Sequence, residues 1–173
     1  MEKIQIYDLG NYTEDMKEYE KYSVRGVIVR DGRIAMQKSR DGDYKILGGG
    51  MDPGEDYKDA LLREVQEEAG LIVIPESICP IGEIEEKRRD RFDEHMIFHC
   101  HSLFFFCDVK EERTTTSMTA SEVEKGYHLE WATPEEILTG NRPFMDQPWI
   151  YRDTEFIRMY AEGKFEKCQK KNQ

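Results

Sequence analysis

An acidic stretch of the chain, Gly48 to Leu71, combines three consecutive glycines with a dense set of carboxylates. The segment GGGMDPGEDYKDALLREVQEEAGL contains seven acidic residues and only two basic ones. Glu64, Glu67 and Glu68 follow the spacing i, i+3, i+4, which places them on one face of a helix. Carboxylate oxygens gathered on one patch are the ligands that Mg²⁺ and Mn²⁺ prefer, and these ions bridge to phosphate oxygens. The segment therefore predicts a divalent-cation site that acts on a phosphate compound.

Two neighbouring features would hold such a cluster in place. The run Gly48–Gly50 follows a predicted strand, and glycines let a backbone turn tightly and bring its carbonyl groups close to a ligand or metal. Arg63 lies one turn before Glu67 and can pair with it or reach back to Glu55. We therefore expect backbone oxygen atoms and carboxylates to surround one point.

A helix over Asp56–Ala69 is predicted to carry the three glutamates. Asp56 is a residue type that commonly caps a helix, and Gly70 is one that commonly ends it. The apolar residues of this segment fall on a separate stripe that would pack against a sheet. This stripe consists of Leu61, Leu62, Val65 and Ala69.

Most of the other expected elements are strands. We predict strands over Lys3–Asp8, Tyr22–Arg30, Arg33–Lys38, Tyr44–Leu47, Leu71–Ile74, Ile78–Lys87, Met96–Val109 and Tyr127–Ala132. A charged turn is predicted at 88–94 and a polar loop at 110–126. A short helix capped by Thr133 and a helix over Asp153–Glu162 complete the set. Helices scattered between strands predict an α+β or α/β/α arrangement.

Length and charge limit the class of protein. The 173 residues include 25 basic and 36 acidic ones, a formal net charge of −11. The length predicts one domain over 1–173, with an N-terminal strand and extension at 1–21 and a C-terminal helix and basic tail at 153–173. The negative charge argues against broad binding to nucleic acids or membrane surfaces, because both attract basic proteins.

The amino terminus and the cysteines predict a cytoplasmic protein. The first residues are charged and contain no apolar stretch of signal-peptide length. The four cysteines form no C-x-x-C pair, which is typical of reduced thiols rather than of a disulfide framework.

The acidic segment also resembles a known motif. Gly49, Glu55 and the run Arg63–Leu71 match every fixed position of the Nudix box, G-x5-E-x7-R-E-U-x-E-E-x-G-U, in which U is aliphatic. The order of the flanking elements extends the resemblance over about Tyr22–Tyr160, although only the box itself is specific. The resemblance implies an α/β/α sandwich with a mixed β-sheet. It also implies a hydrolase that cleaves a nucleoside diphosphate linked to another moiety.

The same resemblance implies roles for particular residues. The divalent metals, Mg²⁺ or Mn²⁺, would be bound by Glu64, Glu67, Glu68 and the carbonyl group of Gly48. Arg63 together with Glu55 would orient this cluster. Metals of this kind neutralise the charge of a pyrophosphate and lower the pKa of a bound water that attacks phosphorus.

The identity of the general base is a separate hypothesis. We expect Glu67 to take the proton of the attacking water. In many members of the family, a glutamate from a distant loop does this or completes the metal shell. Glu122 and Glu124 in the segment TASEVEKGYH are the candidates for such a distal acid.

The substrate stays open, because its recognition depends on residues outside the box. Members of the family act on sugar nucleotides, dinucleoside polyphosphates, oxidised nucleotides and coenzymes, and a nucleoside triphosphate is favoured here because the chain lacks an added recognition domain. The main alternative to an enzyme is a catalytically inactive Nudix-fold module that senses a nucleotide or binds a protein. The sequence allows a homodimer, since dimers are common among proteins of this kind, but it leaves the oligomeric state open.

Three further groups of side chains have a functional and a structural interpretation. Arg88 and Arg89 would either contact substrate or make a turn soluble. Among His95, His99, His101 and Cys100, the strand pattern places His99 and His101 on one face and Cys100 on the other, so that a metal site would need ligands from elsewhere. Five aromatic residues would either stack on a base or pack in the protein, namely Tyr44, Phe104, Trp131, Trp149 and Tyr151.

Overall fold

The computed structural model describes residues 1–166, within which the chain forms ten strands and four α-helices. The strands are β1 (Lys3–Asp8), β2 (Lys17–Val27), β3 (Val29–Arg30), β4 (Arg33–Lys38), β5 (Tyr44–Ile46), β6 (Leu71–Val73), β7 (Cys79–Arg89), β8 (Met96–Phe106), β9 (Val109–Arg113) and β10 (His128–Ala132). The helices are α1 (Tyr57–Ala69), α2 (Ala120–Glu124), α3 (Pro134–Asn141) and α4 (Pro148–Ala161).

The largest sheet is mixed and has the strand order β1-β7-β8-β2. Strand β1 runs parallel to β7 and β2 runs parallel to β8, whereas β7 and β8 are antiparallel. A smaller antiparallel sheet joins β10, β4 and β3, with β5 paired to β4. Bridges from Gly26 to Leu47 and from Ser23 to Gly50 tie the chain after β5 to the second half of β2. The glycines that follow β5 are therefore anchored to the large sheet.

Helices cover the sheets from two sides. On one side, Leu61 and Val65 of α1 pack with Val24 and Phe105 of the large sheet. On the other side, α3 and α4 contribute a second apolar core, in which Phe156 of α4 stacks on Phe104 of β8. The fold is thus an α/β/α sandwich with a mixed sheet, which confirms the fold predicted from the sequence.

Most predicted elements are present with bounds that differ by one or two residues. Strands β1 and β4 have the predicted bounds, and α1 begins and ends where its capping residues indicate. The predicted strand over Tyr22–Arg30 is wrong at its start, because β2 begins at Lys17, where it pairs with the first residue of β8. It is also divided, because β2 ends at Val27 and β3 covers Val29–Arg30. Helix α4 also begins earlier than the predicted Asp153, with Pro148 in its first turn.

Three further predictions are wrong between β7 and β10. The strand predicted over Met96–Val109 ends at Phe106, and Val109 instead begins β9. Arg88 and Arg89 belong to β7 rather than to the following turn. Residues 110–126 are not simply a loop, because β9 pairs with β6 and Thr119 caps the short helix α2. The capping box of α2 joins the side chains of Thr119 and Glu122 to each other's backbone N–H groups.

The described residues also bear on the cysteines and on membranes. Cys100 and Cys107 are free thiols, whereas Cys168 and the end of the predicted basic tail lie outside the described residues. Within residues 1–166, no helix combines the length and the apolar character needed to cross a lipid bilayer.

The contact between β8 and α4 yields a prediction for stability. Phe104 is fully buried against Phe156, whereas the side chain of Phe92 is 96% exposed. We expect Phe104→Ala to lower the free energy of unfolding by about 3–5 kcal/mol, because it removes buried apolar surface and leaves a cavity. Phe92→Ala should change it by less than about 0.5 kcal/mol. Urea denaturation of both variants tests this, and equal losses would show that α4 is not held by this contact.

Candidate functional site

Helix α1 is positioned by the residues at its two ends. The side chain of Asp56 accepts a hydrogen bond from the backbone N–H of Lys58 at 2.8 Å, which satisfies a free donor of the first turn. Gly70 ends the helix with a φ of 64°, a left-handed conformation that glycine adopts without strain. Both ends agree with the prediction from the sequence.

Arg63 joins the glycine turn to the acidic face of α1. Its Nε and one terminal nitrogen donate to the two oxygens of Glu55, each at 2.8 Å. Its other terminal nitrogen donates to Glu64 at 2.6 Å and, more weakly, to Glu67 at 3.4 Å. The carbonyl of Gly50 also accepts from Arg63 at 3.1 Å. Both pairings predicted for Arg63 are present, and the one with Glu55 is bidentate.

These contacts change the pKa values of the pair. The hydrogen bonds from Arg63 and from the backbone N–H of Asp52 lower the pKa of Glu55 to about 2. The pKa of the Arg63 guanidinium is raised by its hydrogen bond with Glu55. The pair therefore stays ionised through the ordinary pH range.

Glu68 is the most deeply buried acid of the box. Its side chain is 4% exposed and accepts a hydrogen bond from the backbone N–H of Gly48 at 2.7 Å. Burial raises the pKa of Glu68 to about 8, although Lys45 and the Gly48 N–H oppose this change. Burial likewise raises the pKa of Glu64, against the influence of Arg63. Keeping both carboxylates ionised together therefore requires positive charge nearby.

Gly48 is needed for steric reasons, and Gly49 leaves room for the carboxylate of Glu64. Gly48 has a φ of 132°, and a β-carbon there would collide with the carbonyl of Val24. A β-carbon on Gly49 would collide with the carboxylate of Glu64. The acids of α1 therefore lie directly against the backbone of the turn, as the sequence predicts.

The three glutamates differ in their surroundings. Glu64 and Glu68 line a common cavity with the glycine turn, whereas Glu67 does not belong to the lining and its side chain is 40% exposed. Within residues 1–166, they do not form a group whose ligand atoms all lie within 4.8 Å of one another. The two acids have different hydrogen-bond donors, because Glu64 accepts from Arg63 whereas Glu68 accepts from the backbone N–H of Gly48. The Gly48 carbonyl, expected to be a metal ligand, accepts a hydrogen bond from Arg25.

The cavity beside the box has a volume of about 380 Å³ and contains more basic than acidic side chains. Its acids are Glu64, Glu68 and Glu122. Its basic residues are Lys21, Arg25, Lys45, Lys125 and Arg152. Sequence reasoning missed these five cations. The alternation of β2 assigns Arg25 to one face, but only the docking of α4 makes that face part of a cleft.

Arg152 is oriented by its neighbour Asp153. One oxygen of Asp153 accepts two hydrogen bonds from the Arg152 guanidinium, at 2.7 and 2.8 Å. The other oxygen accepts from the backbone N–H of Ile46 at 2.9 Å. Arg152 also donates to Ser102 at 3.2 Å. Helix α4 thereby connects to β5, the strand that leads into the glycine turn.

One of the two predicted distal acids reaches the cavity. Glu122 lies 3.9 Å from Lys45 and lines the cavity with Glu68, whereas Glu124 is exposed and is not part of the lining. Although burial would raise its pKa, hydrogen bonds from Thr119 lower the pKa of Glu122. The ammonium group of Lys45 thus has Glu68 and Glu122 as acidic neighbours.

A second cavity of about 180 Å³ continues from the first and shares four lining residues with it. Arg88 lines this second cavity, paired with Glu86 at 2.5 Å and placed over the ring of Phe98. Arg89 instead contacts Asn11 near the amino terminus. The structure therefore separates the two arginines proposed for substrate contact.

The five aromatic residues considered for base stacking also lie in different places, and only Trp149 lines the two cavities. Trp149 lines both cavities, with the guanidinium of Arg91 over its ring. Tyr44 and Phe104 belong to the core, and Trp131 packs against it. Tyr151 makes an edge contact with Tyr7 outside these two cavities.

The donor set of the first cavity fits a divalent cation that prefers oxygen. The carboxylates of the buried Glu68 and the partly buried Glu64 line the cavity with the glycine turn, and burial disfavours their charged forms. A divalent ion would favour those charged forms, and carboxylate oxygens are the ligands that Mg²⁺ and Mn²⁺ take. The side chains of Glu64 and Glu68 would hold it, whereas Glu67 lies on the same helix outside the lining of the cavity.

The α/β/α fold and the glycine turn beside the acidic helix α1 define a class of proteins, and comparison with known sequences identifies this class. Residues 21–152 match the sequence model of the NUDIX domain. Because this match covers most of the chain, the chain belongs to the Nudix family.

Two curated relatives are similar over part of their length. The chain is 30% identical over 101 residues to the nucleoside triphosphatase NudI of Escherichia fergusonii, covering 50% of this chain and 72% of that protein. It is 29% identical over 119 residues to the ADP-ribose pyrophosphatase of Methanocaldococcus jannaschii. The latter match covers 64% of this chain and 66% of the relative, slightly less than two thirds of its length.

Solved structures agree on the fold. A NUDIX hydrolase from Nitrosomonas europaea superposes with a TM-score of 0.59 at 18% identity, over 85% of this chain and 92% of that one. A UDP-X diphosphatase superposes with a TM-score of 0.54 at 15% identity, over 84% of this chain and 64% of that one. At these identities the likeness concerns the fold alone.

The pairing of Asp153 and Arg152 yields a second prediction. Asp153 has no exposed surface and Arg152 is 5% exposed, so Asp153→Asn would leave a buried guanidinium without its counter-charge. We expect this change to lower the free energy of unfolding by about 3–5 kcal/mol. On the same helix, Glu155→Gln removes only the partner of the exposed Arg158 and should cost about 0.5 kcal/mol or less. Chemical denaturation compares the free energies of unfolding of the two variants. If Asp153→Asn leaves this free energy unchanged, the contact between Asp153 and Ile46 does not stabilise the packing of α4 on β5.

Proposed function

We propose that the protein is a divalent-metal-dependent pyrophosphohydrolase. It would hydrolyse a pyrophosphate linkage in a nucleoside triphosphate or in a nucleotide-linked substrate, with Mg²⁺ or Mn²⁺ as the cofactor. The observation that carries this proposal is the combination, in one cavity, of two box carboxylates, Glu64 and the buried Glu68, with five basic side chains. Family membership and the names of two relatives, a nucleoside triphosphatase and an ADP-ribose pyrophosphatase, support it.

The basic wall of the cavity supports a polyanionic substrate. Lys21, Arg25 and Arg152 line both cavities, so a chain of phosphates could meet cations along the whole cleft. Buried cations aimed at a phosphate attract it more strongly than exposed ones, because water screens them less. For this reason we favour a nucleoside triphosphate over a substrate with a neutral sugar next to the pyrophosphate.

The chain's own residues would divide the work as follows. The metal, when bound, would neutralise phosphate charge and lower the pKa of a coordinated water. Glu64 and Glu68 would hold it, and Arg63 with Glu55 would fix Glu64 and the glycine turn. Glu67 would accept the proton of the attacking water. Arg88 and Trp149, in the adjoining cavity, would contact the part of the substrate beyond the phosphates.

The rival function is a module that binds a nucleotide without hydrolysing it. It would need the cationic cleft but not an intact set of acids. All three box glutamates and Arg63 are present, and Arg63 makes the full set of contacts with Glu55 and Glu64. Homodimer formation, a cytoplasmic location and the absence of nucleic-acid or membrane binding stay predictions from the sequence.

A nucleotide panel tests hydrolysis directly. We expect phosphate release from at least one nucleoside triphosphate or nucleotide sugar in the presence of Mg²⁺, measured with inorganic pyrophosphatase where pyrophosphate is the product. EDTA should abolish it, and Glu68→Gln should reduce kcat by at least about 100-fold, since it removes a charge that holds the metal. Tight binding of a nucleotide by calorimetry without turnover of any substrate would favour the non-hydrolytic module.

A series of three glutamate variants assigns the general base. Removing a general base typically costs about 10²–10⁴-fold in rate, and we expect this loss in Glu67→Gln. Glu122→Gln should retain most of the turnover, and the exposed Glu124→Gln is the matched control on the same helix. Single-turnover rates at saturating Mg²⁺ separate the cases. A large loss of rate in Glu122→Gln with little effect of Glu67→Gln would identify the distal acid Glu122, and not Glu67, as the general base.

A further inference from the structure

A second cluster of potential metal ligands lies on the face of the large sheet that points away from the cleft. In β8, Cys100 lines the cleft and Ser102 bonds Arg152, so the alternating His99 and His101 point to the opposite face. Neighbouring strands add carboxylates to that face. Glu18 and Glu20 come from β2, and Glu83 and Glu85 come from β7.

Each imidazole ring is flanked by two carboxylates. The nitrogens of His99 lie 2.5 Å from Glu18 and 2.8 Å from Glu85. Those of His101 lie 2.6 Å from Glu83 and 3.0 Å from Glu20. A neutral imidazole carries a single N–H group, so it can donate to only one of its two carboxylates. In each neutral ring, the other nitrogen would turn a lone pair toward a carboxylate oxygen.

The charges of the cluster are balanced by its own residues only if both rings are protonated. With neutral rings, four carboxylates face two lysines, Lys3 beside Glu85 and Lys87 beside Glu18. Two negative charges are therefore left over, which one divalent cation would balance. The ring centroids of His99 and His101 are only 4.4 Å apart, so two imidazolium charges would repel each other at close range. A metal that takes one lone pair from each ring avoids this repulsion.

The geometry of the ligand atoms fits such an ion. Glu20, His99 and His101 each offer one ligand atom, and these atoms lie within 4.8 Å of one another. The side chains of His99 and His101 are 13% and 9% exposed, and Tyr22 stacks on the His101 ring. A histidine that binds a metal typically donates its other N–H to a carboxylate, a role that Glu83 can fill for His101.

We propose that Glu20, His99 and His101 form a metal site for Zn²⁺ that is separate from the Mg²⁺ site of the box. Two histidine nitrogens and one carboxylate are a ligand set typical of zinc, whereas the box offers only oxygen ligands of the kind Mg²⁺ takes. Zinc at this position connects β2 to β8 on the side of the sheet opposite the cleft. The sequence predicted that a histidine site would need ligands from other segments, and the neighbouring strands supply them.

The proposal is tested on the full chain by zinc binding in the presence of excess Mg²⁺. After treatment with a chelator and exchange into MgCl₂, calorimetric titration with ZnCl₂ should give one tight site per chain. A His99→Asn/His101→Asn double variant should bind at least about 100-fold more weakly, because changes next to metal ligands alone cost about 10–100-fold. His95→Asn is the matched control, since His95 lies in the adjoining turn with its side chain 85% exposed.

Two further variants test whether zinc binds at this site rather than at the box. Glu20 is largely exposed, so Glu20→Gln should fold normally and still weaken zinc binding by at least about tenfold. Glu68→Gln should leave zinc binding unchanged, and zinc should raise the melting temperature of that variant and of the unmodified chain but not of the double variant. Zinc binding that is absent from the unmodified chain, survives in the double variant, or is lost with Glu68→Gln would overturn the proposal. Nucleotide hydrolysis is not a readout, so the result is independent of the proposed enzyme activity.

Discussion

The guanidinium group of Arg63 holds together three parts of the chain that are separate in sequence. It takes both oxygens of Glu55 before the helix, one oxygen of Glu64 within it, and the carbonyl of Gly50 in the turn. Charge-assisted hydrogen bonds of this bidentate kind are stronger and more directional than neutral ones. The glycine turn and helix α1 therefore behave as one unit, and the placement of the box acids depends on it.

Burial gives this unit its electrostatic character. Glu68 and Glu64 are carboxylates in surroundings that disfavour charge, and the basic residues opposite them come from β2, β5, α4 and the segment after α2. A protein with a formal net charge of −11 thus contains a cleft with more cations than acids. The overall charge keeps the surface acidic, while the cleft can still attract an anion. Local arrangement rather than total charge determines what this protein can bind.

The parts of the fold that could be predicted are those set by local signals. Asp56, Gly70 and Thr133 mark helix ends through their own backbone contacts, so the bounds of α1 and the start of α3 were readable from the sequence. The early start of β2 was not, because residues 17–21 become a strand only by pairing with β8. Arg25, Lys45 and Arg152 could not be assigned to a site for a similar reason. They are far apart in sequence and meet only after α4 packs across the sheet. The motif predicted the acids, and tertiary packing supplied the cations.

Strand β8 contributes to both faces of the large sheet over the four residues from His99 to Ser102. Because side chains of a strand alternate strictly, neighbouring positions in this segment belong to different chemical environments. Inserting or deleting one residue just before His99 would exchange the two sets, turning the imidazoles toward the arginines and placing a thiol and a hydroxyl among the carboxylates of the opposite face. Insertions and deletions are therefore tolerable in the turn before Met96 but not within this stretch. Here the alternation of side chains between the two faces of the sheet constrains the length of the chain.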